Sequence, residues 1–182
     1  MPIDRTQTHW FPLRVAYHRE LRVRDELERL SVEHYLPLMW TQRNIGGHTK
    51  RLQVPALNLI FVHASQQEIT DLKMYNSELS CLRYKMDVCH DNDSASEIMI
   101  VPDHDMKCFM LATRRMDERV HYLTYSDFPD KKGRKVQVVD GDFAGVEGEI
   151  KRIKKDRVVV VCLRGIAAVS VQIPFNQLKF IE

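Results

Sequence analysis

Hydrophobic and polar positions change period several times along the chain. In "WFPLRVAY", Trp10 to Tyr17, aromatic and β-branched residues with a proline near the start predict a strand. From Arg19 to Leu30 the period lengthens: Val23, Leu27 and Leu30 recur at i, i+4 and i+7 among Glu and Arg, predicting an amphipathic helix with Leu21 on its outer side. Strand character returns in "HYLPLMW", His34 to Trp40, and Gly46-Gly47 supplies the positive-φ turn of a hairpin. The expected hairpin partner is Leu57 to Ala64, whose unbroken apolar run predicts burial on both faces. A second helix is expected over Gln66 to Tyr75 and a short strand near Leu82 to Val88, followed by the polar loop "DNDSASE". A third helix starts at Asp103, as N-cap, with Met106, Phe109, Met110 and Thr113 as its stripe, and a strand follows over Arg119 to Tyr125.

"SDFPDKKG", Ser126 to Gly133, has proline, glycine and charge but no period, and reads as a linker. Beyond it only strands are predicted: Lys135–Val139, Val146–Ile153, Arg157–Leu163, Val169–Ile173 and a short one over Leu178–Ile181. Short strands joined by tight turns describe a small SH3-like barrel. The expected organisation is an α+β domain over residues 1–125, a linker over 126–133 and an all-β barrel over 134–182.

Composition changes this picture in one respect. The hydrophobic and charged fractions, 44% and 29%, are ordinary globular values. The net charge of +2 is divided unevenly, since residues 131–182 hold 11 Lys/Arg against 6 Asp/Glu while residues 1–130 hold 16 against 19. A basic C-terminal module points to a polyanionic partner. No apolar run approaches the roughly 20 residues of a membrane-spanning helix, and the N-terminus lacks a signal-peptide layout, so a cytoplasmic protein without membrane contact is expected. Cys81, Cys89, Cys108 and Cys162 are scattered, with no CxxC pair, and read mostly as buried thiols.

The glycines of "VQVVDGDFAGVEGEI" could cradle a phosphate or shape a barrel. A phosphate loop leads from a strand into a helix, whereas the segment after Gly148, "EIKRIKKDRVVVV", is strand again. Gly141 therefore reads as a turn residue, Gly145 as a bend, and Gly148 as a point of close backbone approach.

This stretch, from "KKGRKVQVVDGDFAG" onward, closely resembles the KOW motif. "HWFPLRVAYHRELRVRDELERLSVEHYLPL" resembles the opening of the NusG N-terminal (NGN) domain, "NLIFVHA" is similar to that family's Phe-Val strand, and "IVPDHDMKCFM" to its proline-led third helix. The resemblance runs from Trp10 to Ile181, and the "GVEGEIKRI" and "GIAAVSVQIP" segments look most like the capsule-operon antiterminators called UpxY. It implies an elongation or antitermination factor docked on the clamp helices of RNA polymerase, with non-template DNA or nascent RNA beside it, acting as a monomer without cofactor, metal or catalytic residues.

By the same resemblance the apolar docking patch comprises Trp10, Leu13, Leu57, Leu59 and Phe61. Leu59 stands where the family usually has Tyr, and Trp10 and Phe61 suit a core equally well. Arg14, His18, Arg19 and Arg22 would face DNA, with Lys50 and Arg51 touching nucleic acid or polymerase; the alternative for the helix arginines is pairing with Glu20, Asp25, Glu26 and Glu28. In the barrel, Arg134, Lys135, Lys151, Arg152, Lys154 and Lys155 form a basic surface or a solvated rim. Leu163, Arg164, Gly165 and Ile166 match the loop through which NusG barrels bind Rho or a ribosomal protein; Arg164 replaces the usual Phe, which argues against those partners.

Two clusters of possible metal ligands or acid–base groups, Cys89-His90-Asp91 with Asp93 and Asp103-His104-Asp105, lack zinc-site spacing, and no nucleophile elbow or HExxH occurs. The competing non-enzymatic reading is a KOW-type protein bound to RNA or ribosomes without polymerase docking.

Overall fold

In the N-terminal half, a seven-pair ladder joins two strands that the sequence places far apart, β1 (Thr8–Val15) and β5 (Leu59–Ser65), antiparallel and in register from Thr8 opposite Ser65 to Arg14 opposite Leu59. The computed structural model describes residues 4–87, 97–123, 133–153 and 156–181. The chain is mixed α+β, with several antiparallel sheets and three α-helices among the described residues. Contacts divide it into two compact units, Met1–Asp103 and His104–Glu182.

In the first unit, β2 (His34–Tyr35) and β6 (Leu82–Tyr84) flank the ladder, giving the sheet order β2-β5-β1-β6. One face packs on helices α1 (Glu20–Arg29) and α2 (Gln66–Tyr75). Phe11, Leu13, Val15, Ile60, Val62 and Ala64 meet Val23, Leu27 and Ile69 there, all buried. The alternation of a strand makes this consistent, because odd positions of β1 and even positions of β5 share a face. Ser65 caps α2 by accepting the Glu68 N–H, and the Glu68 carboxylate accepts from the Ser65 N–H in return, a complete capping box. The Glu26 carboxylate accepts from both Arg29 and Asn76, tying the end of α1 to the residue that follows α2, and these bonds hold its pKa at about 2.

The hairpin differs from expectation. β3 (Leu38–Ile45) pairs not with the Leu57 segment but with β4 (His48–Pro55), from Leu38 opposite Pro55 to Ile45 opposite His48. Gly46 and Gly47 both have positive φ, 61° and 81°, as a two-residue type I′ turn requires, and such a turn must pair the strands directly beside it. β5, buried along most of its length, is left to pair with β1 and β2. A last two-stranded pair joins β7 (Met86–Asp87) to β8 (Glu97–Ile98). The Cys89-His90-Asp91 cluster with Asp93 lies outside the described residues, as do most of the expected linker, Lys154 and Lys155.

The second unit holds nearly all of α3 (Asp103–Thr113) and a six-stranded antiparallel sheet. Its strands are β9 (Val120–Leu123), β10 (Arg134–Val138), β11 (Glu147–Ile153), β12 (Asp156–Leu163), β13 (Ala167–Val171) and β14 (Leu178–Phe180), in the order β14-β10-β11-β12-β13-β9. β9, which precedes the expected linker, pairs with β13 through Val169 opposite Tyr122, so the contact division falls upstream of residue 125. A Cβ on Gly148 would fall 2.6 Å from the Val160 carbonyl oxygen, which explains a glycine inside β11. Gly141 and Gly145 have φ of +82° and +89° in the β10–β11 connection.

That connection is held electrostatically. Arg119 donates to Asp117 at 2.9 and 2.6 Å and to Asp142 at 2.8 Å, and its guanidinium lies 4.8 Å from the centre of the Phe143 ring. The bonds from Arg119 hold the Asp117 carboxyl at about 2, against an ordinary 3.8.

Two outcomes are expected. Gly148→Ala should destabilise the chain by about 1–3 kcal/mol through overpacking, read as a lower Tm or denaturation midpoint; an unchanged midpoint would show that β11 and β12 do not approach this closely. Because the Asp117 pKa is depressed on folding, its contribution is fully present above pH 3.8 and lost as the pH falls toward about 2. Stability should therefore fall across that window in the native chain and fall less in Asp117→Asn, measured by chemical denaturation at stepped pH.

Candidate nucleic-acid interface

Five side chains expected to form one apolar patch separate by sheet face. Trp10, Leu59 and Phe61 lie on the face of the β1–β5 ladder opposite the helices, where the register sets Pro12 against Phe61 and Arg14 against Leu59. Trp10 stacks on His63 at 4.8 Å, and His63 Nδ1 donates to the Glu33 carboxylate. Leu13 belongs to the other face, packed among α1 and α2 with no exposure, because its odd position in β1 turns it inward. Leu57 is half-buried in the bend before β5. Trp10 and Leu59 are each 5% exposed and Phe61 not at all, so a partner reaches this face only if it is uncovered.

The end of β1 has a different character. Ala16 to His18 form a single 3-10 turn, and Tyr17 and His18 both hold positive φ, 64° and 51°, which costs a non-glycine residue about 1–2 kcal/mol. The turn presents Tyr17 to solvent with 82% of its surface exposed. Around it in sequence stand Arg14, His18 and Arg22, all exposed, and Arg19, half-buried. The alternative of helix ion pairs is taken up by other arginines: Arg24 pairs with Asp25 and Arg29 with Glu26, while among the described residues Arg14, Arg19 and Arg22 have no ion pair. An exposed aromatic face beside uncompensated guanidinium groups can stack a base and bind its phosphate. Sequence reasoning picked out the four basic residues but passed over Tyr17, although an aromatic between Arg14 and His18 in "RVAYHRE" was a usable signal.

Lys50 and Arg51 lie on β4, exposed; Arg51 stacks over Trp40 at 4.8 Å from the ring centre. In the second unit the expected basic surface divides. The register sets Arg134 against Ile150 and Arg152 against Arg157 on one face, while Lys135 stands against Glu149 on the other. Lys151 pairs with Glu149 at 3.4 Å, so a carboxylate interrupts the lysines, and Arg134 stacks on Phe180 at 3.9 Å. Leu163 is 1% exposed and belongs to the core rather than to a partner loop. Arg164, Gly165 and Ile166 form the β12–β13 turn, closed by the Ile166 N–H donating to the Leu163 carbonyl, with Arg164 and Gly165 exposed and Ile166 half-buried.

His104 Nε2 lies 3.0 Å from the Glu147 carboxylate, which accepts, but among the described residues no group of three or more His, Cys, Asp or Glu converges as metal ligands would. Cys81 and Cys108 are buried, which pushes their thiols up, and Cys162 is exposed. Among the described residues no helix is long and apolar enough to cross a membrane. No protein-family model matches the chain, and no curated protein is significantly similar to it.

Replacing Tyr17 by Gly should separate strain from function. Loss of the positive-φ cost is expected to raise stability by up to about 1 kcal/mol, measured by thermal melting, while loss of the ring weakens binding of a single-stranded oligonucleotide by about tenfold, measured by fluorescence anisotropy. A variant that binds as tightly as the native chain would remove Tyr17 from the interface.

Proposed function

We propose that this chain is a transcription elongation or antitermination factor of the NusG family, most similar to the UpxY-type antiterminators, that rides on RNA polymerase and contacts nucleic acid at the upstream edge of the bubble. The observation that carries the reading is the junction at Arg14. In register with Leu59, it joins the apolar face of Trp10, Pro12, Leu59 and Phe61 to the exposed Tyr17, whose neighbouring Arg14, Arg19 and Arg22 have no ion pair among the described residues. An apolar protein-docking face continuous with a cationic, aromatic edge is what a factor needs if it binds a polymerase and the strand that polymerase displaces.

Further support comes from the strand pattern. A four-stranded antiparallel sheet with α1 and α2 on one face agrees with an NGN-type domain. The five strands β10 to β14 form a meander whose short last strand returns to pair with the first, Val136 against Phe180, as an SH3-like KOW barrel would. The close approach at Gly148 agrees with the fixed glycine of the KOW motif. On this reading docking requires the Trp10 face to open, and Arg164 in the β12–β13 turn disfavours Rho or the ribosome as barrel partner. The exposed Phe175 and Phe180, with tilted rings 6.0 Å apart and Arg134 over Phe180, favour a second reading in which the C-terminal strands bind RNA independently of polymerase.

The test is binding of the full chain to purified RNA polymerase and to its clamp-helix fragment, with Leu57→Glu as the probe variant and a melting curve as control. Saturable binding that Leu57→Glu weakens by about tenfold or more, together with reduced pausing in single-round transcription, is the expected result. Failure to bind polymerase while retaining RNA would establish the second reading instead.

A further inference from the structure

Among the described residues β3 and β4 pair only with each other, outside the β2-β5-β1-β6 sheet of their unit. Every residue from Gln42 to Arg51 is exposed, and two strands of eight residues make a ribbon about 25 Å long. Its charge is one-sided. No carboxylate occurs anywhere between Glu33 and Glu68, while the ribbon carries Arg43, Lys50 and Arg51. The register sets Arg43 directly opposite Lys50, a like-charge cross-strand pair that destabilises a free hairpin, and among the described residues neither has an ion pair. A bound polyanion would reverse the sign of that interaction.

The two faces of the ribbon differ in chemistry. By strand alternation and the register of Gln42 with Arg51 and Asn44 with Thr49, one face near the tip carries Gln42, Asn44 and Arg51, with Arg51 held over the Trp40 ring. These are the side chains whose forked donors and acceptors match adenine and guanine edges. The other face carries the Arg43–Lys50 pair, whose long side chains can reach phosphates on the groove walls. A two-stranded ribbon fits the major groove of B-form DNA, about 12 Å wide, but not the deep, narrow major groove of an A-form RNA duplex.

We propose that the β3–β4 hairpin is a duplex-DNA arm that enters the major groove, with Gln42, Asn44 and Arg51 toward base edges and Arg43 and Lys50 on phosphates. This site is distinct from the Tyr17 edge, and it does not depend on polymerase docking, since free duplex reads it directly.

The experiment is fluorescence anisotropy of the full chain with a mixed-sequence DNA duplex of about 25 base pairs, titrated at several salt concentrations. The native chain is expected to bind, and Arg43→Gln/Lys50→Gln to bind about tenfold or more weakly, with a salt slope smaller by about two. The charge-preserving swap Arg43→Lys/Lys50→Arg should restore affinity and slope, which separates lost charge from a misfolded ribbon. The proposal is overturned if the native chain does not bind duplex DNA, if the Gln variant binds as the native chain does, or if an RNA duplex of the same sequence binds as tightly. Polymerase binding that survives the hairpin variants would leave the reading of the Trp10 face standing whichever way this result falls.

Discussion

The ladder between β1 and β5 fixes the rest of the N-terminal unit. Seven consecutive pairs join residues about fifty positions apart, so the register must be specified by what each face buries. One face is decided by Phe11, Leu13 and Val15 against the helices. A slip of one residue would place those side chains opposite the helices and bring Arg14 and His63 into the core. The positions of Trp10, Phe61 and Leu59 on the second face, and of Arg14 at the ladder's end, follow from that choice. The candidate interface is therefore a consequence of core packing on the other side of the sheet.

In the C-terminal unit the corresponding constraint is backbone proximity. β11 can lie against β12 at Gly148 only because no side chain intervenes, and the Arg119–Asp142 and Arg115–Asp142 bonds hold the β10–β11 connection while two of its glycines take positive φ. Part of the charge there is spent on structure: Glu149 meets Lys151, and Arg119 meets two carboxylates. Among the described basic residues of 131–182 Lys151 has an ion pair, whereas Arg115 and Arg119, which hold Asp142, precede that stretch, so its basic excess stands after its ion pairs are counted.

Elements with a strong period were legible in the sequence. The α1 stripe of Val23 and Leu27 is buried as its spacing predicts, and the span Gln66–Tyr75 is a helix with its capping box just ahead of it. β4 was not legible, because its exposed residues alternate between kinds of polar side chain rather than between polar and apolar, and a solvated ribbon leaves no hydrophobic signature. Leu13 and Leu163 were misplaced for a related reason. A family motif marks positions but not facing, and the two-residue period of each strand turns both inward. The unusual backbone at Tyr17 has no sequence signal at all, since Tyr is not a residue that φ preference would suggest there.

The distribution of arginines separates structural charge from charge held in reserve. Arg24, Arg29, Arg115 and Arg119 each donate to a nearby carboxylate. Among the described residues Arg14, Arg22 and Arg43 have no ion pair, as Arg152, Arg157 and Arg164 have none, but the first three stand at places where the chain accepts a local cost: the positive-φ turn at Tyr17 and His18, and the opposed cations of the β3–β4 ribbon. A stable fold gains nothing from either feature, and a conservative change would remove each one. Where local inconsistency and charge without an ion pair coincide on exposed elements, a ligand outside the chain would supply the compensating interaction, and for guanidinium groups beside an aromatic or on an acid-free ribbon a nucleic acid is the ligand we propose.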